Sequence, residues 1–319
     1  MNAGGGGRPV HWRAAHRGTG AGASDPDGTE GDMKIAFLGT GLMGHPMAAR
    51  LLAQGHTVNV YNRTAEKAAD LASRGAHLAP TPAGAMAEAD WVVAMLTDAP
   101  VVQAALLDGG ARDCLAGRRV LNASTIAPHE ARELARAVAD AGGEYMECPV
   151  LGSIPQARDG TLIVMFGGSP AQFQAAGPVL GAFGSEPVHV GPVGQAAALK
   201  LAMNQLIAAL TEAFSFSLGL VRREGVPVDL FMGVLRNSAL YAPTYDKKLD
   251  RMLRRDFDRP NFPVKHMAKD VDLLLEAGRR AGLDIGCLEA AARVLGQARE
   301  AGLEDCDYSA LYNVVDPRD

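Results

Sequence analysis

A short apolar run, Lys34 to Leu38 (KIAFL), is followed at once by Gly39-Thr40-Gly41-Leu42-Met43-Gly44 and then by the helical pattern HPMAARLLAQG. Strand, glycine turn and helix in that order point to a parallel α/β sheet whose first crossover helix starts directly above its strand. Each glycine meets a separate demand. Gly39 permits the tight turn, Gly41 lets a pyrophosphate approach the backbone, and Gly44 lets helix and strand pack closely, with phosphate at the helix N-terminus. The segment predicts a dinucleotide site lined by Gly39, Thr40, Gly41, Leu42, Met43 and Gly44.

The next apolar run, TVNVY, ends at Asn62-Arg63-Thr64. An NAD-preferring site places an acidic residue there to hold the ribose 2′-hydroxyl. Arg63 instead offers a planar cation suited to a 2′-phosphate, so Asn62, Arg63 and Thr64 predict NADP as the cofactor. Further apolar runs (WVVAML, RVLNAS, the GGEYMEC/PV region, TLIVMFGG and PVHVGP) read as strands. Helical patterns start near Gly44, Thr64, Pro100 and Pro128. This alternation predicts a doubly wound parallel sheet of Rossmann type.

Past Gly194 the strand signals stop and helical patterns fill 195–224, 228–237, 244–255, 264–281 and 286–302. The expected organisation is a tail over 1–32, an NADP-binding domain over 33–194 and an all-helical domain over 195–319, joined by one long helix. About 30 residues of helix span roughly 45 Å. Its nearly all-round apolar surface implies burial on every side, by a homo-oligomer (dimer or tetramer) or by the chain's own helices. Between Gly194 and Val221 the only charged residues are Lys200 and Glu212. Placing an ammonium out of water costs several kcal/mol, on the order of the desolvation penalty, unless something pairs with it or uses it. Asn204 lies one turn beyond on the same face. An amine beside an amide on an apolar helix suits binding and protonation of a carbonyl oxygen. The other reading of Lys200 is a snorkelling side chain near the helix start.

With 31 Lys and Arg against 36 Asp and Glu and no basic run, the chain has no electrostatic footprint for nucleic acid. No stretch combines the apolarity and flanks that favour a transmembrane span over a buried helix, so no membrane partner is expected. Cys114, Cys148, Cys287 and Cys306 lack CxxC spacing and the eight histidines lack ligand spacing, which predicts buried thiols, a cytoplasmic location and no metal. Residues 1–32 are dense in glycine and charge and poor in apolar residues, which predicts disorder.

In order and spacing, GTGLMGHPMAARL, Met95-Leu96-Thr97-Asp98, Asn122-Ala123-Ser124-Thr125, Cys148-Pro149-Val150-Leu151-Gly152-Ser153, the Gly194–Asn204 segment and Lys269-Asp270 resemble the β-hydroxyacid dehydrogenase family. The resemblance spans Met33 to about Leu303. It implies that Met95, Leu96 and Thr97 lie beside the cofactor's adenosine, that Thr125 and Lys269 lie near the cofactor, and that Ser124, Gly152 and Ser153 hold a small substrate carboxylate. It also implies that Lys200 and Asn204 form the catalytic pair. Ser124-Thr125 also reads as a helix cap and Gly152-Ser153 as an ordinary turn. Asn122 stands where the family has aspartate and Leu151 where it commonly has serine, which suggests a larger or less polar substrate. His45 reads as a solvent-facing helix residue.

The function expected is an NADP(H)-dependent oxidoreductase interconverting a small hydroxy acid and its semialdehyde or keto acid. Two alternatives stay open: an imine reductase on the same architecture, against which Lys200 argues, and a non-catalytic NADP-binding scaffold.

Overall fold

The computed structural model describes residues 32–317. The tail expected over 1–32 lies outside the described residues except at Asp32. The Asp32 carboxylate accepts hydrogen bonds from the Thr57 N–H at 2.7 Å and the Thr57 hydroxyl at 2.8 Å.

Strands and helices alternate from β1 (Lys34–Leu38) and α1 (Gly44–Ala53) through β2 (Thr57–Tyr61), α2 (Ala69–Ser73), β3 (His77–Leu78) and α3 (Pro82–Met86). They continue as β4 (Trp91–Ala94), α4 (Ala99–Leu107), β5 (Arg119–Asn122), α5 (Pro128–Asp140) and β6 (Glu144–Glu147). Strands β3-β2-β1-β4-β5-β6 lie side by side and parallel. Chain order reverses between β1 and β4, which opens a crevice above their C-terminal ends. Side chains alternate across β1, where Ile35 and Phe37 pack under Met47 and Leu51 of α1. Ala36 and Leu38 pack on the opposite face with Met86, Val102 and Leu106 of α3 and α4. Burial on both faces explains why these strands read as continuous apolar runs.

The expected extension of the sheet is present, but its direction changes. β7 (Val150–Leu151), α6 (Ile154–Asp159), β8 (Ile163–Gly167), α7 (Pro170–Phe183) and β9 (Val188–Gly191) follow, with β8 antiparallel to β6 and β7 and parallel to β9. The short elements β3, α3 and α6 have no counterpart in the sequence reading, since two to six residues carry too little periodicity to be recognised. The longer α7 has none either; its pattern is interrupted by Gly177, Pro178 and Gly181.

The rest is helical: α8 (Gln195–Arg223), α9 (Val228–Arg236), α10 (Pro243–Arg254), α11 (Val264–Ala281), α12 (Gly286–Glu300) and α13 (Leu311–Val315). α8 packs on α5, β8 and β9 at its start and on α9, α11, α12 and α13 further along, so one helix belongs to both halves. Among the described residues it alone is long and apolar enough to cross a bilayer. Phe214 and Leu218 instead join the helical core with Met252, Met267 and Tyr312. Within one chain the burial is incomplete along one face, where Leu206, Phe216 and Leu220 are exposed, so of the two expected ways of covering α8 the chain's own helices do not suffice.

Candidate active site

The glycine turn meets the steric demands the sequence makes of it. Gly39 has φ +99°, and a Cβ there would lie 2.4 Å from the Met95 carbonyl oxygen. A Cβ on Gly44 would lie 2.0 Å from the Gly39 carbonyl oxygen, so helix and turn touch backbone to backbone. Around Gly41 there is open space, as a ligand approaching the backbone requires. No side chain caps α1 at Met43, and the Thr40 hydroxyl is buried without a partner. These free donors fit a dinucleotide pyrophosphate. A cleft runs from Thr40, Gly41 and Leu42 along α1 and carries Lys67, Arg74 and Arg158. His45, on the outer face of α1, is taken up by Asp70 of α2.

Asn62 acts differently from its expected role. Its Oδ1 accepts the Thr40 N–H at 2.9 Å and its amide donates to the Thr64 carbonyl at 2.7 Å, so it braces the turn after β1 against the end of β2. Thr64 is exposed. Arg63 is exposed and makes no ion pair or hydrogen bond among the described residues, which leaves it as the free cation where a 2′-phosphate is expected.

Across the switch point, Met95, Leu96 and Thr97 follow β4. The Leu96 N–H donates to the Ser124 hydroxyl at 2.9 Å, and that hydroxyl reaches the Ala94 carbonyl at 3.4 Å. Ser124 is therefore buried and occupied by backbone. Asn122 accepts the Ser124 N–H at 3.0 Å and donates to the Tyr145 hydroxyl at 2.9 Å. The exchange of aspartate for Asn122 thus serves this buried pairing, in which a neutral amide satisfies both partners without a buried charge. Neither Ser124 nor Thr125 caps α5; Glu130 accepts the Ala127 N–H instead.

Gly152 has φ +146° and leaves no room for a Cβ beside Leu162, so its glycine is a backbone requirement. The Ser153 N–H, a candidate carboxylate donor, is used by Gln156 Oε1 at 3.0 Å, while the Ser153 hydroxyl is buried without a partner. No hydrogen bond links Gly152 or Ser153 to Lys200 or Asn204 among the described residues.

The catalytic candidates do converge. Lys269 of α11 donates to the Thr125 carbonyl at 2.8 Å, tying the helical half to the loop after β5, and sits 2.8 Å from Asp270. The second Asp270 oxygen accepts the Asn204 amide at 2.6 Å. Asn204 is buried and its Oδ1 has no partner. Lys200, one turn earlier, makes no hydrogen bond or ion pair among the described residues. Burial lowers its proton affinity, nearby Asp270 raises it and Lys269 lowers it, leaving a pKa of about 8. An ammonium with so low a pKa, one helical turn from a free amide oxygen, has the proton affinity for exchange near neutrality.

Asp270, expected only as the neighbour of Lys269 in a pair near the cofactor, orients Asn204. One residue escaped sequence reasoning altogether. Glu147 closes the buried strand β6 and touches the start of α8. Its signal was a carboxylate at the end of an apolar run, but its partners lie 47 to 50 residues further along. No cluster of three or more His, Cys, Asp or Glu able to hold a metal occurs among the described residues.

Comparison with known proteins bears on the family and the fold. Residues 34–191 match the NAD binding domain of 6-phosphogluconate dehydrogenase, and 194–315 match the NAD-binding domain of NADP-dependent 3-hydroxyisobutyrate dehydrogenase. Glyoxylate/succinic semialdehyde reductase 1 of Arabidopsis thaliana is 31% identical over 285 residues, covering 89% of this chain and 98% of the relative. The human cytokine-like nuclear factor N-PAC is 30% identical over 286 residues, 89% of this chain but only 52% of that protein. Mycobacterium tuberculosis 3-hydroxyisobutyrate dehydrogenase, solved with L-serine, superposes with a TM-score of 0.80 at 26% identity, covering 89% of this chain and 99% of that one. By motif, fold and sequence alike, the chain belongs to the β-hydroxyacid dehydrogenase family of nicotinamide-dependent oxidoreductases.

Proposed function

We propose that this protein is an NADPH-dependent reductase of a small aldehyde or keto acid bearing a carboxylate, running in reverse as a hydroxyacid dehydrogenase. The observation that carries the reading is the unpaired Lys200 amine one helical turn before Asn204, whose Oδ1 is free, on the helix that Asp270 and Lys269 tie to the dinucleotide crevice. A nicotinamide bound there supplies the hydride. Lys200 then donates its proton to the carbonyl oxygen as negative charge develops, with Asn204 Oδ1 holding the ammonium and then the new hydroxyl. The Ser153 hydroxyl and the exposed backbone at Gly152 bind the substrate carboxylate, and Leu151 gives that end an apolar wall. Glyoxylate and succinic semialdehyde, named in the plant relatives, head the substrate panel, assayed with NADPH and NADH against 3-hydroxy acids. Similarity to a nuclear factor favours a second reading, a cofactor-binding module without turnover. Tight NADPH binding with no turnover across the panel would select it.

The sign of the pH dependence follows from the role. Reduction needs protonated Lys200, so kcat/KM for the carbonyl substrate is expected to fall as pH rises through about 8. Oxidation needs the neutral amine and is expected to rise through the same value. Profiles measured in both directions check this; a reductive rate that stays level well above that pH assigns the proton to another group.

The homo-oligomer expectation becomes a specific seam. Exposed α8 residues recur at alternating spacings of three and four from Leu199 to Leu220, the repeat of a coiled-coil face. Run antiparallel against itself about Ala209, this face sets Leu206 opposite Ala213 and Ala202 opposite Phe216, large against small. Light scattering on the parent and on Leu206→Glu is expected to give a dimer or larger assembly and a smaller species respectively. A monomeric parent removes the seam.

A further inference from the structure

The start of α8 has no cap of its own. Gly194 carries no side chain, and the first turn contains no acid. A helix leaves its first amides unsatisfied, and burying them unpaired is costly. Here Glu147, at the end of β6, supplies the missing acceptor. Its Oε1 takes the N–H groups of Gly194 at 2.8 Å, Ala196 at 2.8 Å and Ala197 at 3.2 Å. The Pro192 carbonyl takes the remaining one, from Gln195, at 3.1 Å. The surroundings are built around this carboxylate. A Cβ on Gly167, its antiparallel partner on β8, would fall 2.4 Å from Oε1, and one on Gly194 would fall 2.8 Å from the Arg132 guanidinium. Gly194 also has φ +98°, so Gly167 is required by the carboxylate itself, and Gly194 by its left-handed backbone and by Arg132.

We propose that Glu147 is a positioning residue that locks the first turn of α8 to the sheet and thereby holds the Lys200 amine in its sheltered place at the crevice. Lys200 stands one helical turn beyond Ala196, and Asn204 one turn beyond that. An amide clamped at the start of a helix fixes the axial position and rotation of the side chains that follow. Without the clamp the first turn frays, as uncapped helix ends do, and water reaches the amine. The charges bearing on Lys200 are Asp270 and Lys269 of α11; Glu147 is not among them. At Glu147 itself burial dominates and pushes the carboxyl above the usual carboxylate range, while the three amides and Arg132 of α5 pull it back down. Glu147 thus acts through the backbone it holds and not through its field at Lys200.

The proposal depends on the catalytic role of Lys200 only for its effect on rate, so the deciding measurement reads the amine directly. The pH dependence of Lys200 acylation, followed by peptide mass spectrometry, gives its proton affinity whether or not the enzyme turns over. For the parent the midpoint is expected near 8. Glu147→Ala is expected to raise it towards the ordinary lysine value and to lower turnover about tenfold, with the dissociation constant for NADPH unchanged because the glycine turn lies on other elements. Glu147→Gln keeps one carbonyl oxygen facing the three amides and is expected to return the midpoint close to that of the parent. A midpoint in Glu147→Ala equal to the parent's overturns the proposal. Should Glu147→Ala fail to fold, a Glu147→Gln midpoint displaced to the ordinary lysine value overturns it too, since the clamp then requires more than an acceptor. A midpoint that moves in an enzyme whose turnover ignores Lys200 refutes the catalytic reading and leaves the clamp standing.

Discussion

Lys200→Ala is expected to lower turnover by a factor on the order of 10² to 10⁴, the span of a positioned general acid, while NADPH binding and folding persist. The fold survives because nothing leans on the amine. Lys200 makes no hydrogen bond among the described residues, and Asp270 keeps Asn204 at 2.6 Å and Lys269 at 2.8 Å. Losing a half-buried, unpaired ammonium removes a desolvation cost along with a little packing, so the melting temperature is expected to stay close to that of the parent. Lys200→Arg separates charge from proton donation. Its guanidinium keeps the positive charge but does not release a proton in the working range, so it is expected to be nearly as slow as the alanine variant. Steady-state turnover, cofactor titration and a thermal melt on the three proteins decide the matter. Near-normal turnover in Lys200→Ala, or recovery in Lys200→Arg, reassigns the residue to structure or to electrostatics alone.

Arg63→Ala is expected to weaken NADPH roughly ten- to hundredfold and to leave NADH almost untouched. A hydrogen bond to a charged group contributes about 1.5 to 3 kcal/mol, and only NADPH offers the phosphate that makes one here. Arg63 is the right residue to change because it is exposed and makes no ion pair or hydrogen bond among the described residues. Asn62 is not. Its side chain bridges the Thr40 N–H and the Thr64 carbonyl, so Asn62→Asp would set a carboxylate oxygen against a carbonyl and distort the turn for both cofactors. Dissociation constants for NADPH and NADH, measured at one ionic strength on the parent and on Arg63→Ala, test the assignment. Equal affinity of the parent for the two, or equal weakening of both, makes Arg63 a scaffold residue and removes the preference for NADP.

The two parts of the site differed in how legible they were. The glycine turn could be read because its demands are local: φ at Gly39 and the 2.0 Å approach at Gly44 are set by residues within one strand–turn–helix unit. Lys200 and Asn204 could be placed but not assigned, since an amine and an amide at i and i+4 on an apolar helix define one face, while a snorkelling lysine has the same pattern. Ser124 and Asn62 were misjudged in role, though not in place. Both lie at the crevice, but a hydroxyl or amide looks the same in sequence whether it faces a ligand or a backbone amide. Here the backbone holds the Ser124 hydroxyl and both ends of the Asn62 amide.

By itself, then, the sequence determined a doubly wound sheet, a helical half beyond Gly194, a dinucleotide turn and the placing of Lys200 and Asn204 on one helix face. All of these depend on periodicity and on spacings of a few residues. Tertiary structure alone decided which polar groups are already spent and what fixes the pair in space. Glu147 meets α8 across about fifty residues of chain, Lys269 meets Thr125 across 144, and Asp270 meets Asn204 across 66. Such contacts follow from sheet order and helix packing, which no local pattern encodes, and the hydrogen bonds they complete determine which side chains remain free for a ligand.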